Sequence, residues 1–246
     1  MDKYFINRRS VRNFTDRPVE SSLLNEILTA AAKAPTCGNM QLYSVIVTRS
    51  PQRKAELAKQ HFSQPATNAP VILTICADFN RFTRWCQLNN ADAGFDNLES
   101  FISATADAII LAQQITTIAE QEGLGTCYLG TVTYNAPEIA GILNLPELVV
   151  PVACLALGWP DGPGIETERL PLEAFVHEET YRNDSDQEII SLFKSKEQYP
   201  ANIQFVKENN KDNLAQVFAE IRYPRAMNEA FSQKLKDYLQ SAGFLK

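Results

Sequence analysis

Three arginines and a hydroxyl group cluster near the amino end of the chain, at Arg8, Arg9, Ser10 and Arg12. If residues 3–12 form a helix, Arg8 and Arg12 project from one face, and Ser10 adds a short donor. Guanidinium groups carry a permanent charge and form strong, charge-assisted hydrogen bonds to anions. The spacing therefore favours a phosphate site, although basic residues in a last helical turn also stabilise a solvent-facing helix end.

A second group of small polar residues lies in the loop between a predicted helix and a predicted strand. Thr36, Cys37 and Asn39 carry polar atoms at neighbouring positions, and Gly38 allows the backbone to approach a ligand closely. The loop is therefore a candidate ligand contact. A plain turn is the alternative, because Gly-Asn pairs form turns for conformational reasons alone.

The chain contains five cysteines and two histidines, which restricts the chemistry available to it. The cysteines are odd in number and include no Cys-x-x-Cys pair, which argues against a disulfide framework and against a zinc site. A Cys-His or Ser-His-Asp hydrolase would depend on His61 or His177 as its base, and neither lies in a recognisable signature. We therefore expect no metal site, and we find no recognisable hydrolase signature.

Length and charge narrow the class of protein further. A chain of 246 residues with a formal net charge of −6 gives no reason to expect a nucleic-acid partner. We find no signal-peptide pattern and no run of about 18 apolar residues, so we expect a cytoplasmic protein without a membrane span. We expect a single domain over residues 1–246.

Hydrophobic periodicity predicts the elements that position these residues. An alanine-rich, strongly apolar helix is expected at the centre of the molecule, with a surface that its own copy could pack against. The predicted helices cover residues 22–34, 51–60 and 98–122, and a further helix begins at Asn135 or Pro137 and reaches Leu143. The predicted strands cover residues 43–48, 71–77, 126–129 and 149–157.

Two regions lack a clear period. Residues 78–97 hold the aromatics Phe79, Phe82, Trp85 and Phe95 among polar residues, and this mixture favours a partly ordered lid. A rim packed against its own core is the alternative. Beyond residue 171 the chain becomes polar, with a loop at 184–186 and thinly striped helices near 211–221 and 227–241. Such a tail covers a partner or the main body.

The sequence resembles the flavin-dependent nitroreductases. Its motifs are Arg-Ser-Val-Arg-Asn-Phe from Arg9, Ala-Pro-Thr-Cys-Gly-Asn-Met-Gln from Ala34, and three later stretches, Tyr128-Leu129-Gly130, Leu157-Gly158-Trp159-Pro160 and Arg169-Leu170-Pro171. It looks closest to the branch of NADPH-dependent nitroreductases and flavin reductases with a carboxyl-terminal extension. The resemblance implies an α+β fold with a mixed central sheet flanked by helices. It also implies an intertwined homodimer, with a core of about residues 1–171 and an extension, 172–246, wrapping the dimer.

The resemblance further implies two FMN molecules at the dimer interface, with NADPH or NADH as electron donor and a small-molecule oxidant as substrate. Asn68 is the alternative to Gln64 as the amide against the flavin pyrimidine, and the tail arginines Arg222 and Arg225 are candidates for the 2′-phosphate of NADPH. The implied FMN contacts are Arg8, Arg9, Ser10 and Arg12; the loop Pro35, Thr36, Cys37, Gly38 and Asn39 lent by the other subunit; Gln64; Tyr128, Leu129, Gly130 and Thr131; and Arg169.

The implied activity is a ping-pong NAD(P)H oxidoreductase that passes hydride through flavin N5 to nitroaromatics, quinones or free flavins. Such an enzyme needs no general acid or base, so none is assigned. The candidates for stacking on the substrate are Tyr128, Phe79, Phe82 and Trp85. The chain departs from the family pattern at Arg8, where histidine is common, at Thr131, where glycine is common, and at Thr167, where lysine is common. A cation near the reduced flavin raises the reduction potential of the flavin. Because Thr167 carries no charge, the positive charge must come from another residue. A dehalogenase or flavin-cleaving relative and a non-catalytic flavin-binding module remain as alternatives.

Overall fold

A computed structural model describes residues 3–245, which form two compact units. Residues 3–165 and 231–245 make the first unit, and residues 166–230 make the second. The helices, in chain order, are Lys3–Asn7 (α1), Ser21–Ala31 (α2), Pro51–Gln60 (α3), Asn80–Leu88 (α4), Leu98–Gln121 (α5), Ala136–Leu143 (α6), Asp186–Glu197 (α7), Pro200–Glu208 (α8), Leu214–Gln216 (α9), which continues as a π-helical turn over Val217–Arg222, and Arg225–Ser241 (α10).

The first unit is built on a four-stranded sheet with the strand order β1-β2-β4-β3. Both central strands, β2 and β4, are buried along their whole length, which explains why their sequences are mostly apolar. The α+β class is confirmed. Each of the three pairings is antiparallel, so the expectation of a mixed sheet is wrong for the described strands. The strands are Tyr43–Thr48 (β1), Val71–Asp78 (β2), Gly125–Tyr128 (β3) and Val149–Gly158 (β4).

Helix α5 forms the centre of the first unit, as the sequence predicts. The Asn97 side chain caps its start by accepting a hydrogen bond from the Ser100 N–H, and Gly123, at φ 84°, follows its end. By length and composition alone α5 could cross a membrane. However, Ala104, Ala112 and other small residues on it are fully buried in the core against the sheet, which identifies α5 as a core helix.

The arginine-rich stretch is not helical, contrary to the sequence expectation. Helix α1 ends at Asn7, and the chain then runs extended, with Ser10 forming an isolated β-bridge to Ile165. The Val11 N–H donates to the Thr126 carbonyl at 2.9 Å, and Val11 packs so closely on Gly125 that a Cβ there would lie 2.7 Å from its own Cβ. Pairing beside β3 therefore replaces the helix.

Residues 78–97 contain helix α4 and an aromatic cluster rather than a loose lid. Phe79 is 2% exposed and stacks on Phe95 with ring centroids 4.8 Å apart, while the Phe82 ring meets Phe95 edge-on at 5.5 Å. The expected role of Phe79 in substrate stacking is wrong, because its ring is buried in the core. Trp85 differs, since it is 59% exposed. The packed-rim alternative fits this cluster.

The second unit holds helices α7 and α8, which the sequence interpretation missed. Helix α7 begins with a capping box in which Ser185 and Glu188 each bind the other's backbone N–H. Lys196 lies 2.6 Å from Glu168 within the same unit. A cavity of about 530 Å³ is lined mainly by apolar side chains of this unit, including Ile189, Phe193 and Leu214.

Candidate functional site

The extended arginine segment brings Arg8, Ser10 and Arg12 to one side of the chain, because alternate residues of an extended segment share a face. Burial raises the pKa of the Cys127 thiol on β3, whereas the positive charges of Arg12 and Arg8 lower it. Arg9 is exposed and lies beside Gly164. Arg12 is exposed and makes no hydrogen bond or ion pair with any residue between 3 and 245. Its guanidinium is therefore open to an anion.

Arg8 is held by Glu120, at the end of α5. The Arg8 Nη2 atom lies 3.2 Å from Glu120 Oε1, and the Tyr4 hydroxyl donates to Glu120 Oε2 at 2.8 Å. The Thr126 hydroxyl donates to the same carboxylate. Burial, and then the hydrogen bond to Glu120, raise the pKa of Tyr4 to about 12. Glu120 was missed by the sequence interpretation, because one acid in the last turn of a helix gives no sign of its partners.

The loop at residues 36–39 is anchored by a buried carboxylate on α5. Asp107, which is 1% exposed, accepts hydrogen bonds from the Cys37 N–H at 2.8 Å and from the Leu42 N–H at 3.2 Å. Gly38 and Asn39 have φ angles of 54° and 56°, so two consecutive residues take the left-handed conformation. The hydrogen bond to Asp107 is the largest cause that raises the pKa of the Cys37 thiol. Asp107 is the one site residue here that sequence could have indicated, as a lone acid within an apolar helix.

We expect Asp107→Asn to lower the free energy of unfolding by about 1–2 kcal/mol, because the amide keeps one acceptor and turns its NH2 group toward a backbone donor. Urea unfolding followed by tryptophan fluorescence measures the change. Glu99→Gln, an exposed acid on the same helix, is the matched control and should leave stability within about 0.5 kcal/mol. Equal effects of the two substitutions would contradict the anchoring role of Asp107.

The turn after β3 presents an open backbone group. The Leu129 N–H donates to the Cys154 carbonyl at 2.9 Å, whereas the next N–H, that of Gly130, has no acceptor in the described part of the chain. A Cβ built at Gly130 would meet no heavy atom within 4 Å, so a ligand can approach the backbone there. Gln64 Nε2 donates to Thr131 Oγ1 at 3.4 Å, which joins two residues predicted separately. Asn68, the alternative amide, is exposed.

The remaining predicted arginines lie in the second unit. Arg169 donates to the Thr167 hydroxyl and to the Glu168 carbonyl, the latter at 2.9 Å. The Arg222 guanidinium lies 4.4 Å from the centre of the Phe205 ring, so it packs within its own unit. Arg225 is different: it lies 3.5 Å from Glu229 and its side chain is 90% exposed. The sequence predicts Arg222 and Arg225 as a pair of contacts for the 2′-phosphate of NADPH. In the structure Arg222 packs on an aromatic ring, whereas Arg225 faces solvent.

The nitroreductase family model matches residues 6–159, which include the arginine segment, the loop anchored by Asp107 and the turn at Gly130. The chain belongs to the nitroreductase family. It is 31% identical to an NAD(P)H FMN reductase from Bacillus subtilis (strain 168) over 98% of this chain and 96% of that protein. It is 34% identical to an oxygen-insensitive NADPH nitroreductase from Salmonella typhimurium over 71% of each. A crystal structure of a candidate oxidoreductase from Bacteroides fragilis NCTC 9343 is 43% identical, with a TM-score of 0.98 and full coverage of both chains.

Three features of this nitroreductase show whether its residues suit FMN, the cofactor of the family. Arg12 offers an exposed, unpaired guanidinium, which suits a phosphate. Gly130 offers an uncovered N–H. Thr36 carries a buried hydroxyl that has no partner among the described residues. A phosphate ligand, a ring-edge donor and a spare hydroxyl are the groups that a flavin mononucleotide needs, so the residues fit.

Proposed function

We propose that this protein is an FMN-dependent NAD(P)H oxidoreductase whose oxidants are nitroaromatics, quinones or free flavins. The open guanidinium of Arg12, beside the Arg8–Glu120 pair, is the observation that carries the proposal. The names of the relatives, an FMN reductase and an NADPH nitroreductase, support the same activity. Bound FMN supplies the redox chemistry, by taking hydride from a nicotinamide and passing electrons to an oxidant.

The chain's own residues bind and orient. Arg12, Arg8 and Ser10 hold the phosphate, with Arg9 beside them, and the N–H of Gly130 with its neighbours Tyr128, Leu129 and Thr131 lines the ring edge. The side-chain amide of Gln64 contacts the pyrimidine ring of the flavin. We propose Arg169 as a second phosphate ligand, as the resemblance implies. No side chain is assigned as a general acid or base.

Spectra of the purified protein, reconstituted with FMN and treated anaerobically with NADPH, test this function. We expect the flavin absorbance to appear on binding and to bleach on addition of NADPH. Colour that does not bleach with NADPH or NADH would favour a flavin-binding module. Failure to bind FMN would overturn the proposal.

We propose that two copies form a homodimer, in which the loop 35–39 of one subunit contacts the FMN of the other and residues 172–246 wrap the partner. Helix α5 supports a dimer, because Ile102, Ile109 and Ile110 on it are 51%, 42% and 41% exposed. We expect sedimentation of the FMN-loaded protein at micromolar concentration to give twice the mass of the 246-residue chain. A folded, flavin-loaded monomer would contradict this. The cytoplasmic location stays a prediction.

We expect Arg225→Ala to raise the KM for NADPH about tenfold and to leave the KM for NADH unchanged, because only NADPH carries a 2′-phosphate. A substitution at Arg225 tests the 2′-phosphate contact more directly than one at Arg222, because Arg222 also packs on Phe205 and so stabilises its unit. Steady-state kinetics with both nucleotides provide an internal control. Arg182→Ala, another exposed arginine of the second unit, should change neither value. Equal losses for the two nucleotides would remove the 2′-phosphate role.

A further inference from the structure

The Thr131 side chain lies between two polar groups of the helix α3 end and the turn that follows it. His61 is fully buried, and its Nδ1 atom lies 2.9 Å from Thr131 Oγ1. Gln64 Nε2 lies 3.4 Å from the same oxygen. The second ring nitrogen of His61, Nε2, is buried and has no partner among residues 3–245. Burial lowers the pKa of His61 to about 4, so the ring is neutral at pH 7.

The Thr131 hydroxyl can serve both neighbours at once. It has one proton to donate and two lone pairs that accept. The Gln64 amide nitrogen donates to Thr131 Oγ1, and the same hydroxyl is also hydrogen-bonded to His61 Nδ1. Thr131 therefore joins the Gln64 amide to the buried His61 ring.

The hydrogen bond to Thr131 fixes which end of the Gln64 amide faces outward. Its nitrogen is bound to Thr131, and its oxygen Oε1 accepts no hydrogen bond in the described chain. A flavin pyrimidine carries an imide N–H, N3–H, which needs an acceptor. We propose that Thr131 is a positioning residue: with His61 behind it, it turns the Gln64 amide so that Oε1 is presented to the flavin N3–H. This inference rests on the proposed FMN function, and the glycine common in the family at position 131 could not provide it.

FMN affinity, measured by quenching of flavin fluorescence, tests the role in four variants. We expect Thr131→Val to bind FMN about three- to tenfold more weakly than wild type, which corresponds to one neutral hydrogen bond. Thr131→Ser keeps the hydroxyl and should restore wild-type affinity. In a Gln64→Ala background, Thr131→Val should cause no further loss, because Thr131 acts through Gln64.

Thr133→Val is the matched control, since Thr133 lies in the same turn and makes no hydrogen bond to a described residue. It should bind FMN as wild type does. Losses that add fully in the Thr131→Val, Gln64→Ala double variant would mean that Thr131 supports only the turn, and the proposal would be overturned. A wild-type protein that binds no FMN would instead overturn the proposed function.

Thr131→Gly provides a second test if Thr131→Val fails to fold. It also removes the hydroxyl that binds the Gln64 amide. We expect it to weaken FMN binding about as much as Thr131→Val does. Wild-type FMN affinity in Thr131→Gly would overturn the proposal.

Discussion

Replacing Arg12 with alanine is expected to weaken FMN binding about ten- to a hundredfold and to leave riboflavin binding unchanged. Removing one partner of a charge-assisted contact costs about 1.5–3 kcal/mol, and the Arg12 guanidinium has no other partner in the described chain to offset the loss. Riboflavin has the same ring system but no phosphate. Fluorescence titrations with the two flavins therefore separate a phosphate contact from a general effect on the site.

Arg17→Ala is the matched control for the Arg12 substitution. It removes the same charge a few residues away, from a guanidinium that lies 3.7 Å over the Trp159 ring. FMN affinity in this variant should stay within about twofold of wild type, because that arginine is engaged with an aromatic face. Unchanged FMN affinity in Arg12→Ala, or an equal loss for FMN and riboflavin, would show that the phosphate lies elsewhere.

The arginine segment illustrates how a site prediction can survive a wrong secondary structure. A helix brings residues four apart to one face, and an extended strand also does so, because four is an even number of residues. Arg8 and Arg12 therefore share a side in either conformation. Ser10 joins that side only in the extended form, so the observed structure suits a shared ligand better than the predicted helix. What decided the conformation was the pairing of Val11 with Thr126, which is distant in sequence.

The buried polar partners of the site could not be predicted from sequence. Glu120, Asp107 and His61 each occur once within a mainly apolar or unremarkable stretch, and the sequence does not say which distant group each one meets. Their partners, Arg8, the Cys37 N–H and Thr131, are set by tertiary packing. A lone polar residue in an apolar helix indicates that a buried partner must exist, because an unpaired polar group would cost several kcal/mol. It does not identify the partner.

The second unit was misread for a local reason. The letters Asp184-Ser185-Asp186 suggested a loop, yet Ser185 and Glu188 form the serine-to-glutamate spacing that starts a helix. The apolar residues of α7 are partly exposed, and the helix is rich in charge. The apolar residues of α7 therefore show only a weak helical periodicity, and the turn-forming residues before them favour a loop. The Ser185–Glu188 capping box is the feature of the sequence that indicates the start of this helix.

Acidification is expected to destabilise the protein through His61. In the unfolded chain the imidazole takes up a proton near pH 6.5, whereas burial lowers the pKa in the folded protein to about 4. Between these values the unfolded state binds more protons, so the free energy of unfolding falls as the pH falls. The loss is absent above pH 6.5 and complete below pH 4. A difference of this size corresponds to about 3 kcal/mol.

Urea unfolding of wild type and His61→Gln between pH 7 and pH 4 isolates this effect. Glutamine does not titrate, so the difference between the two proteins cancels groups common to both, such as Glu168, whose pKa is lowered mainly by its hydrogen bond to Lys196. The wild-type curve should fall more steeply with decreasing pH, by about 3 kcal/mol over the full range. Parallel curves for wild type and His61→Gln would mean that the folded protein accepts the proton as readily as the unfolded chain, and the expected effect of burial on His61 would be absent.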